Sequence, residues 1–158
     1  MFSISRIVKA RTIALFLMGY FFFSCSNNMV YYDFQHVPDK AWVKDDVFSF
    51  HFDIQDTSLL YHTSLHLRNS GIYPYQNVWI LYEELQPSGC LIKDTVEYRL
   101  ADENGKWKGN GVTLFQNQFP IRKNLHYPDS GTYIISLRHG MRDERLKGVE
   151  NIGVLIVK

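Results

Sequence analysis

The strongest pattern along the chain is a period of two. From Val47 to Ile54, the apolar residues Phe48, Phe50, Phe52 and Ile54 alternate with Ser49, His51 and Asp53. A half-buried strand requires this, because successive side chains point to opposite faces. Tyr61, Thr63, Leu65 and Leu67 repeat the pattern against His62, Ser64, His66 and Arg68. The two runs are expected to pair as a hairpin, with Phe50 opposite Leu65 and Asp53 opposite His62, since a one-residue slip would set an aromatic face against a polar one. Asn69, Ser70 and Gly71 end the second run, and Tyr73, Pro74 and Tyr75 form an aromatic loop. Val78 to Tyr82 is unbroken apolar sequence, too short for an independent helix and rich in strand formers. It is expected to be a central strand covered on both faces.

Further along, Pro87, Ser88 and Gly89 mark a turn, after which Val96, Tyr98 and Leu100 alternate with Glu97 and Arg99. Asn104-Gly105 is a tight-turn signal inside a polar loop that also holds Trp107. Val112 to Phe119 reads as a weaker strand, and Pro120 makes it an edge. The spacing Asp129, Gly131, Tyr133 resembles the tyrosine corner of immunoglobulin-like sandwiches, with Ile135 where those domains carry a cysteine. Gly140 to Gly148 holds the one plausible helical turn, from Asp143 to Lys147, and Ile152 to Val157 is a closing strand expected to pair inside a sheet. Seven to nine short strands with almost no helix specify an all-β fold. The expected form is a single antiparallel β-sandwich over residues 31 to 158, jelly-roll or immunoglobulin-like.

The N-terminus has a different pattern. Arg6, Lys9 and Arg11 precede an apolar run from Thr12 to Phe23, followed by Ser24 and Cys25, and no acidic residue comes before Asp33. These are the parts of an export signal. The twelve-residue run is too short to span a bilayer core, which takes about 20 residues. Residues 1 to 24 are therefore expected to be a cleaved lipoprotein signal, with Cys25 as the lipid attachment site and residues 25 to 30 as a lipidated tether. Two or more acyl chains hold a protein stably where one is marginal, and five extended residues reach about 17 Å.

Charge changes little in this picture. The chain has 17 basic and 16 acidic side chains, and removing the signal leaves 14 against 16, a net of −2. With no basic block, nucleic acid is not an expected partner. Of the two cysteines, Cys25 is assigned to lipid. Cys90 then has no intramolecular partner and is expected to be a buried small hydrophobe.

Candidate chemistry is sparse. His51, Asp53, His62 and His66 would gather if the hairpin formed, but His62 and His66 lie about 13 Å apart along one strand, too far to share a metal. No metal site is expected. His139, with Arg138, Arg142, Asp143, Glu144 and Arg145, is expected to form a charged loop whose side chains pair among themselves. Adjacent Glu83 and Glu84 point to opposite faces of a strand, a poor start for paired carboxylates. No nucleophile motif is present, so catalysis is not expected. Tyr73, Tyr75 and Trp107 are binding candidates, as an aromatic platform for a sugar ring or a partner's apolar patch.

The lipobox-like FFFSC ending at Cys25 is one of several segments that together resemble a known family. The others are Tyr32-Asp33 with Trp42, Leu67-Arg68-Asn69, Tyr73-Pro74-Tyr75, Asn77-Val78-Trp79, Gly131-Thr132-Tyr133, His139-Gly140-Met141-Arg142, Leu146-Lys147-Gly148-Val149 and Ile152-Gly153. This ensemble resembles the gliding motility-associated lipoprotein family GldH. The resemblance implies a non-enzymatic protein with no cofactor beyond the lipid on Cys25, anchored to the outer membrane and facing the periplasm. Its implied partners are other cell-envelope motility or secretion proteins. A carbohydrate-binding surface lipoprotein is the alternative that the loop aromatics suggest.

Overall fold

In the computed structural model, which describes residues 28–158, the alternating runs become the strands of two facing four-stranded antiparallel sheets. In chain order the strands are β1 (Met29–His36), β2 (Ala41–Val43), β3 (Phe48–Ile54), β4 (Tyr61–Ser70), β5 (Asn77–Leu85), β6 (Leu91–Arg99), β7 (Leu114–Leu125), β8 (Gly131–His139), β9 (Arg145–Lys147) and β10 (Val149–Val157). One sheet has the order β1-β10-β4-β7, the other β3-β8-β5-β6, and β2 pairs with β9 in a small separate ribbon. Leaving that ribbon aside, the eight long strands interleave as a jelly roll, which decides between the two expected topologies. Cys25 and the signal lie outside the described residues. β1 begins at Met29, slightly earlier than the expected domain start at Tyr31.

The hairpin expected between β3 and β4 does not form. β3 pairs with β8, placing Phe50 opposite Ile135, while β4 lies in the other sheet between β10 and β7, with Leu65 opposite Val154 and Phe119. Alternation fixes which side chains point inward, and it did so correctly for both strands. It carries no information about which neighbour satisfies the backbone. The connection from Gln55 to Leu60 is long enough to cross between sheets, which lie about 10 Å apart.

Other expectations met mixed outcomes. β5 is central, between β8 and β6, but only one of its faces is covered: Val78, Ile80, Tyr82 and Glu84 are buried, while Trp79 and Leu85 are each 39% exposed. β7 is an edge strand, and its ladder with β4 shifts register on either side of Thr63, close to where Pro120 faces Ser64. β10 runs inside its sheet between β1 and β4. Arg145–Lys147 is a strand rather than a helical turn, because Leu146, its only apolar residue, is drawn into the core opposite Trp42. Cys90 is exposed, since the Pro87–Gly89 turn still holds it outside β6.

The core is rich in tyrosine, and each buried hydroxyl finds an acceptor, as burial of a polar group demands. Tyr133 Oη donates to the Asp129 carbonyl at 2.8 Å, so the tyrosine corner is present. Tyr61 donates to Asp56 O at 2.7 Å, Tyr73 to Asn77 O at 2.8 Å and Tyr98 to Pro120 O at 3.2 Å, and Tyr127 bonds the Thr63 hydroxyl at 3.1 Å. Burial, aided by Asp94, pushes the Tyr98 pKa up to about 12.

Strand registers define two ends. One end carries Met29 opposite Val157, together with the 55–60, 86–90 and 126–130 connections. The other carries the 37–47, 71–76, 100–113 and 140–148 connections, including the β2–β9 ribbon. All three tryptophans of the chain, Trp42, Trp79 and Trp107, sit at this second end.

Candidate functional site

The second end is built around Trp42. Its ring is fully buried, meets Phe48 and His139 edge-on at 5.4 and 5.3 Å, and its indole N–H donates to the Asp46 carbonyl at 3.1 Å. His139 closes β8 and is buried rather than placed in a charged loop. Neither of its ring nitrogens has a hydrogen-bond partner among the described residues. Burial holds its pKa below the ordinary value. The neighbouring charges pair outward to the β1–β3 connection: Lys44 with Glu144 at 3.8 Å and Arg145 with Asp39 at 3.6 Å.

The three expected platform residues come together here, but not as an exposed platform. Tyr73 is 3% exposed, with its ring 6.2 Å from both Tyr75 and Trp107. Gly148, at φ +83, lets the chain pass over it, since a Cβ there would lie 2.6 Å from the Tyr73 nitrogen. Trp107 is half-buried and stacks on Phe115 at 5.6 Å. Loop aromatics fold back when they can shield the core edge, and these two do. Tyr75 alone stands out, 37% exposed. Its hydroxyl donates to both carboxylate oxygens of Asp143, at 3.0 and 2.9 Å, and this bond raises its pKa, with Arg142 acting in the opposite direction.

Beside Tyr75 lies a cleft of about 300 Å³, lined also by Asn77, Trp79, Gly140, Met141 and Arg142. Trp79 is on the uncovered face of β5. Its carbonyl accepts from Gly140 N–H at 2.7 Å and its N–H donates to the Met141 sulfur at 3.4 Å, which fixes the ring's base against the end of β8. A Cβ on Gly140 would lie 3.3 Å from the Trp79 Cβ, so glycine leaves the cleft floor free. Asn77 donates to Glu97 at 2.6 Å and continues the cleft into a polar hollow with Gln76, Arg99 and Glu103. A further depression, about 510 Å³, lies at the opposite end beside Met29, Asp56 and Lys158.

The histidine and aspartate candidates are not assembled. His51 and Asp53 are on β3, while His62 and His66 are on β4 in the opposite sheet. Asp53 accepts from Thr132 at 2.6 Å instead. Among the described residues no group of three or more His, Cys, Asp or Glu side chains is arranged to hold a metal ion. His66 is covered by Tyr32 and Phe34, at 5.4 and 5.6 Å, and Arg68 lies 4.1 Å over the Phe34 ring. Burial first, and Arg68 second, lower the His66 pKa.

A further group was not legible beforehand. Glu84 is fully buried between the sheets, with one carboxylate oxygen accepting from Tyr82 Oη and the other, like Arg122 Nε, without a partner among the described residues. Its position at an inward site of β5 was the available signal, since a glutamate there must be buried.

A sequence model described as GldH lipoprotein matches residues 29–156, which contain every element of both sheets save the last residue of β10. The chain belongs to the GldH lipoprotein family. It is 29% identical over 145 residues to a gliding motility lipoprotein GldH homolog of Christiangramia forsetii, covering 87% of this chain and 88% of that protein. It is 27% identical over 150 residues to the gliding motility lipoprotein GldH of Flavobacterium johnsoniae, covering 90% and 92%. The match to the GldH family takes in the whole Tyr75–Trp79–Arg142 cleft, whereas Cys25 precedes the matched segment.

Proposed function

We propose that this GldH-family chain is a non-catalytic envelope lipoprotein, acylated on Cys25 and held on the outer membrane facing the periplasm. In this reading it supports the gliding motility or associated protein-secretion apparatus through protein contacts. The observation that carries it is polarity. β1 starts at Met29, at one end of the sandwich, while the exposed Tyr75 and Trp79 and the cleft they line are at the other. Only Ser26, Asn27 and Asn28 separate Cys25 from β1, a reach of at most about 14 Å. An anchored domain would therefore rest with the Met29 end toward the bilayer and offer its aromatic end to other proteins. Tryptophan, tyrosine and arginine are the residues that dominate protein interfaces, which favours protein contact over a catalytic role.

The glycan-binding reading has less to rest on, because of Tyr73, Tyr75 and Trp107 only Tyr75 is freely accessible. The test is fractionation and crosslinking in intact cells. The native protein should be recovered from membranes with a lipid mass on Cys25, and Cys25→Ala should release it. Crosslinkers placed at the tryptophan end should capture envelope proteins. A soluble protein with a free Cys25 thiol, or a protein that captures nothing from that end, would refute the reading.

A further inference from the structure

We infer that Arg122 is the counter-charge of the buried Glu84, and that the pair, joined through Tyr82, latches the edge strand β7 to the facing sheet and fixes its register. The ladder between β4 and β7 carries the first observation. Phe119 sits opposite Leu65 and Pro120 opposite Ser64, so an unbroken ladder would set Ile121 opposite Thr63 and turn Arg122 outward. The ladder instead shifts by one residue, and Arg122 takes the place opposite Thr63. Directly opposed residues share a face, and Thr63 is buried on the inward one. The irregularity therefore directs an arginine into the sandwich where an isoleucine was available. Bulges re-aim side chains in this way.

Glu84 supplies the reason. It enters the same interior from β5, fully buried, with one carboxylate oxygen bonded by Tyr82 and the other unpartnered. Arg122 Cζ lies over the Tyr82 ring, 5.9 Å from its centroid, within reach of a cation–π contact. One side chain thus meets the carboxylate at its hydroxyl and the guanidinium at its face. Burial is the main cause that raises the pKa values of Tyr82 and Tyr127, and at both phenols Glu84 adds to the rise while Arg122 opposes it. Both charges therefore act on the same two rings. Among the described residues no lysine or arginine is fully buried, and Arg122 alone of them has a covered, unpartnered nitrogen, its Nε. A carboxylate taken out of water is strongly unfavourable unless it is paired, and Arg122 is the cation aimed at it. The apolar pattern leaves the register of β7 loose, because Gln116, Asn117 and Gln118 interrupt its alternation. The charge pair supplies what the alternation lacks. Nearby, Phe119 stacks on Tyr98 at 4.5 Å and Pro120 O accepts from the Tyr98 hydroxyl, which ties the preceding residues of β7 to β6.

The test is a double-mutant cycle in the full chain as recovered from cells, read by denaturant unfolding and by hydrogen exchange at residues 119–125 compared with residues 29–36. Glu84→Gln keeps an acceptor for Tyr82 and removes the charge, while Arg122→Met keeps most of the side-chain volume. Arg122→Met should lower the folding constant about tenfold or more, because it leaves a buried carboxylate alone, and should speed exchange most at residues 119–125. Glu84→Gln should lower the folding constant in the native chain, yet raise it severalfold when added to Arg122→Met, and slow the exchange again. That reversal of sign separates a charge pair from two independent packing contributions. If Arg122→Met is too unstable to recover, the double variant should still be recovered folded. A double variant no more stable than Arg122→Met, a Glu84→Gln variant more stable than the native chain, or exchange at residues 119–125 indifferent to Arg122→Met would overturn the inference.

Discussion

The two ends of the sandwich are built from the same core but finished differently. At the Met29 end, local bonds complete the connections: Asp56 accepts from both the backbone and hydroxyl of Ser58, and Asp129 O accepts from Tyr133. The exposed apolar side chains nearby include Met29, Leu60, Leu85 and Leu91, with Tyr32 a little farther along β1. At the opposite end the connections are longer, cross between β2 and β9, hold Asp39 and Lys40 at positive φ, and display Tyr75 and Trp79. The contrast teaches that one end closes the fold with short, locally bonded turns, while the other carries the longer connections that the proposed contact role would use.

That separation can be broken most forcefully by deletion in the core. Trp42→Ala at the aromatic end and Phe52→Ala toward the Met29 end should each cost about 3–5 kcal/mol in denaturant unfolding, since Trp42 is fully buried and Phe52 is 3% exposed and stacked on Tyr133 at 5.6 Å. A single cooperative transition in both variants will establish that the ends share one core. Two transitions in Trp42→Ala would make the aromatic end a separate unit.

A smaller effect is expected at the interior carboxylate. Glu84→Leu should cost about 1–3 kcal/mol, because the Tyr82 hydroxyl is left without its acceptor. The double variant with Tyr82→Phe should cost less than the sum of the two single changes, and strict additivity in the cycle would show that the two groups are uncoupled.

Acid should weaken the fold through His139 and His66, whose pKa values are both lowered in the native protein. Unfolded histidine takes up its proton near pH 6.5, before the folded protein does. Stability is therefore complete above that pH and falls as the pH drops below it toward the folded-state values, with a slope of at most about 1.4 kcal/mol per pH unit for each group. Urea midpoints between pH 8 and 5 should fall accordingly, and His139→Phe should flatten the slope. Midpoints that rise on acidification would contradict the burial argument. The smallest change separates the ends functionally: Tyr75→Phe should leave thermal unfolding unaltered yet reduce partner capture, whereas Ser58→Ala should leave capture untouched.

Much of the fold was legible because period-two alternation is a direct imprint of the sheet faces. Phe50, Phe52, Leu65 and Leu67 all point inward as their spacing implies, and the Asp129–Tyr133 spacing formed its bond. Strand partners were not legible, because Phe50 would satisfy the same alternation opposite Leu65 or Ile135. Burial on both faces of β5 was over-read for a related reason. An apolar run records that its residues suit burial and is silent about whether this chain or another provides the cover. Trp79 is where that silence mattered, and it became the centre of the candidate site instead of Tyr73 and Trp107. His139 was misplaced because its charged neighbours in sequence diverge in space, pairing with Lys44 and Asp39.

One detail of the β1 ladder bears on the proposed N-terminal anchor. β1 rises from the Met29 end along β10, paired from Met29 opposite Val157 to His36 opposite Asn151. A pull on Asn28 against a load at the tryptophan end would act along the strand axis, in shear. The cross-strand bonds would then resist together instead of unzipping one at a time, so an anchor through Cys25 would load the domain along a direction its ladder resists well.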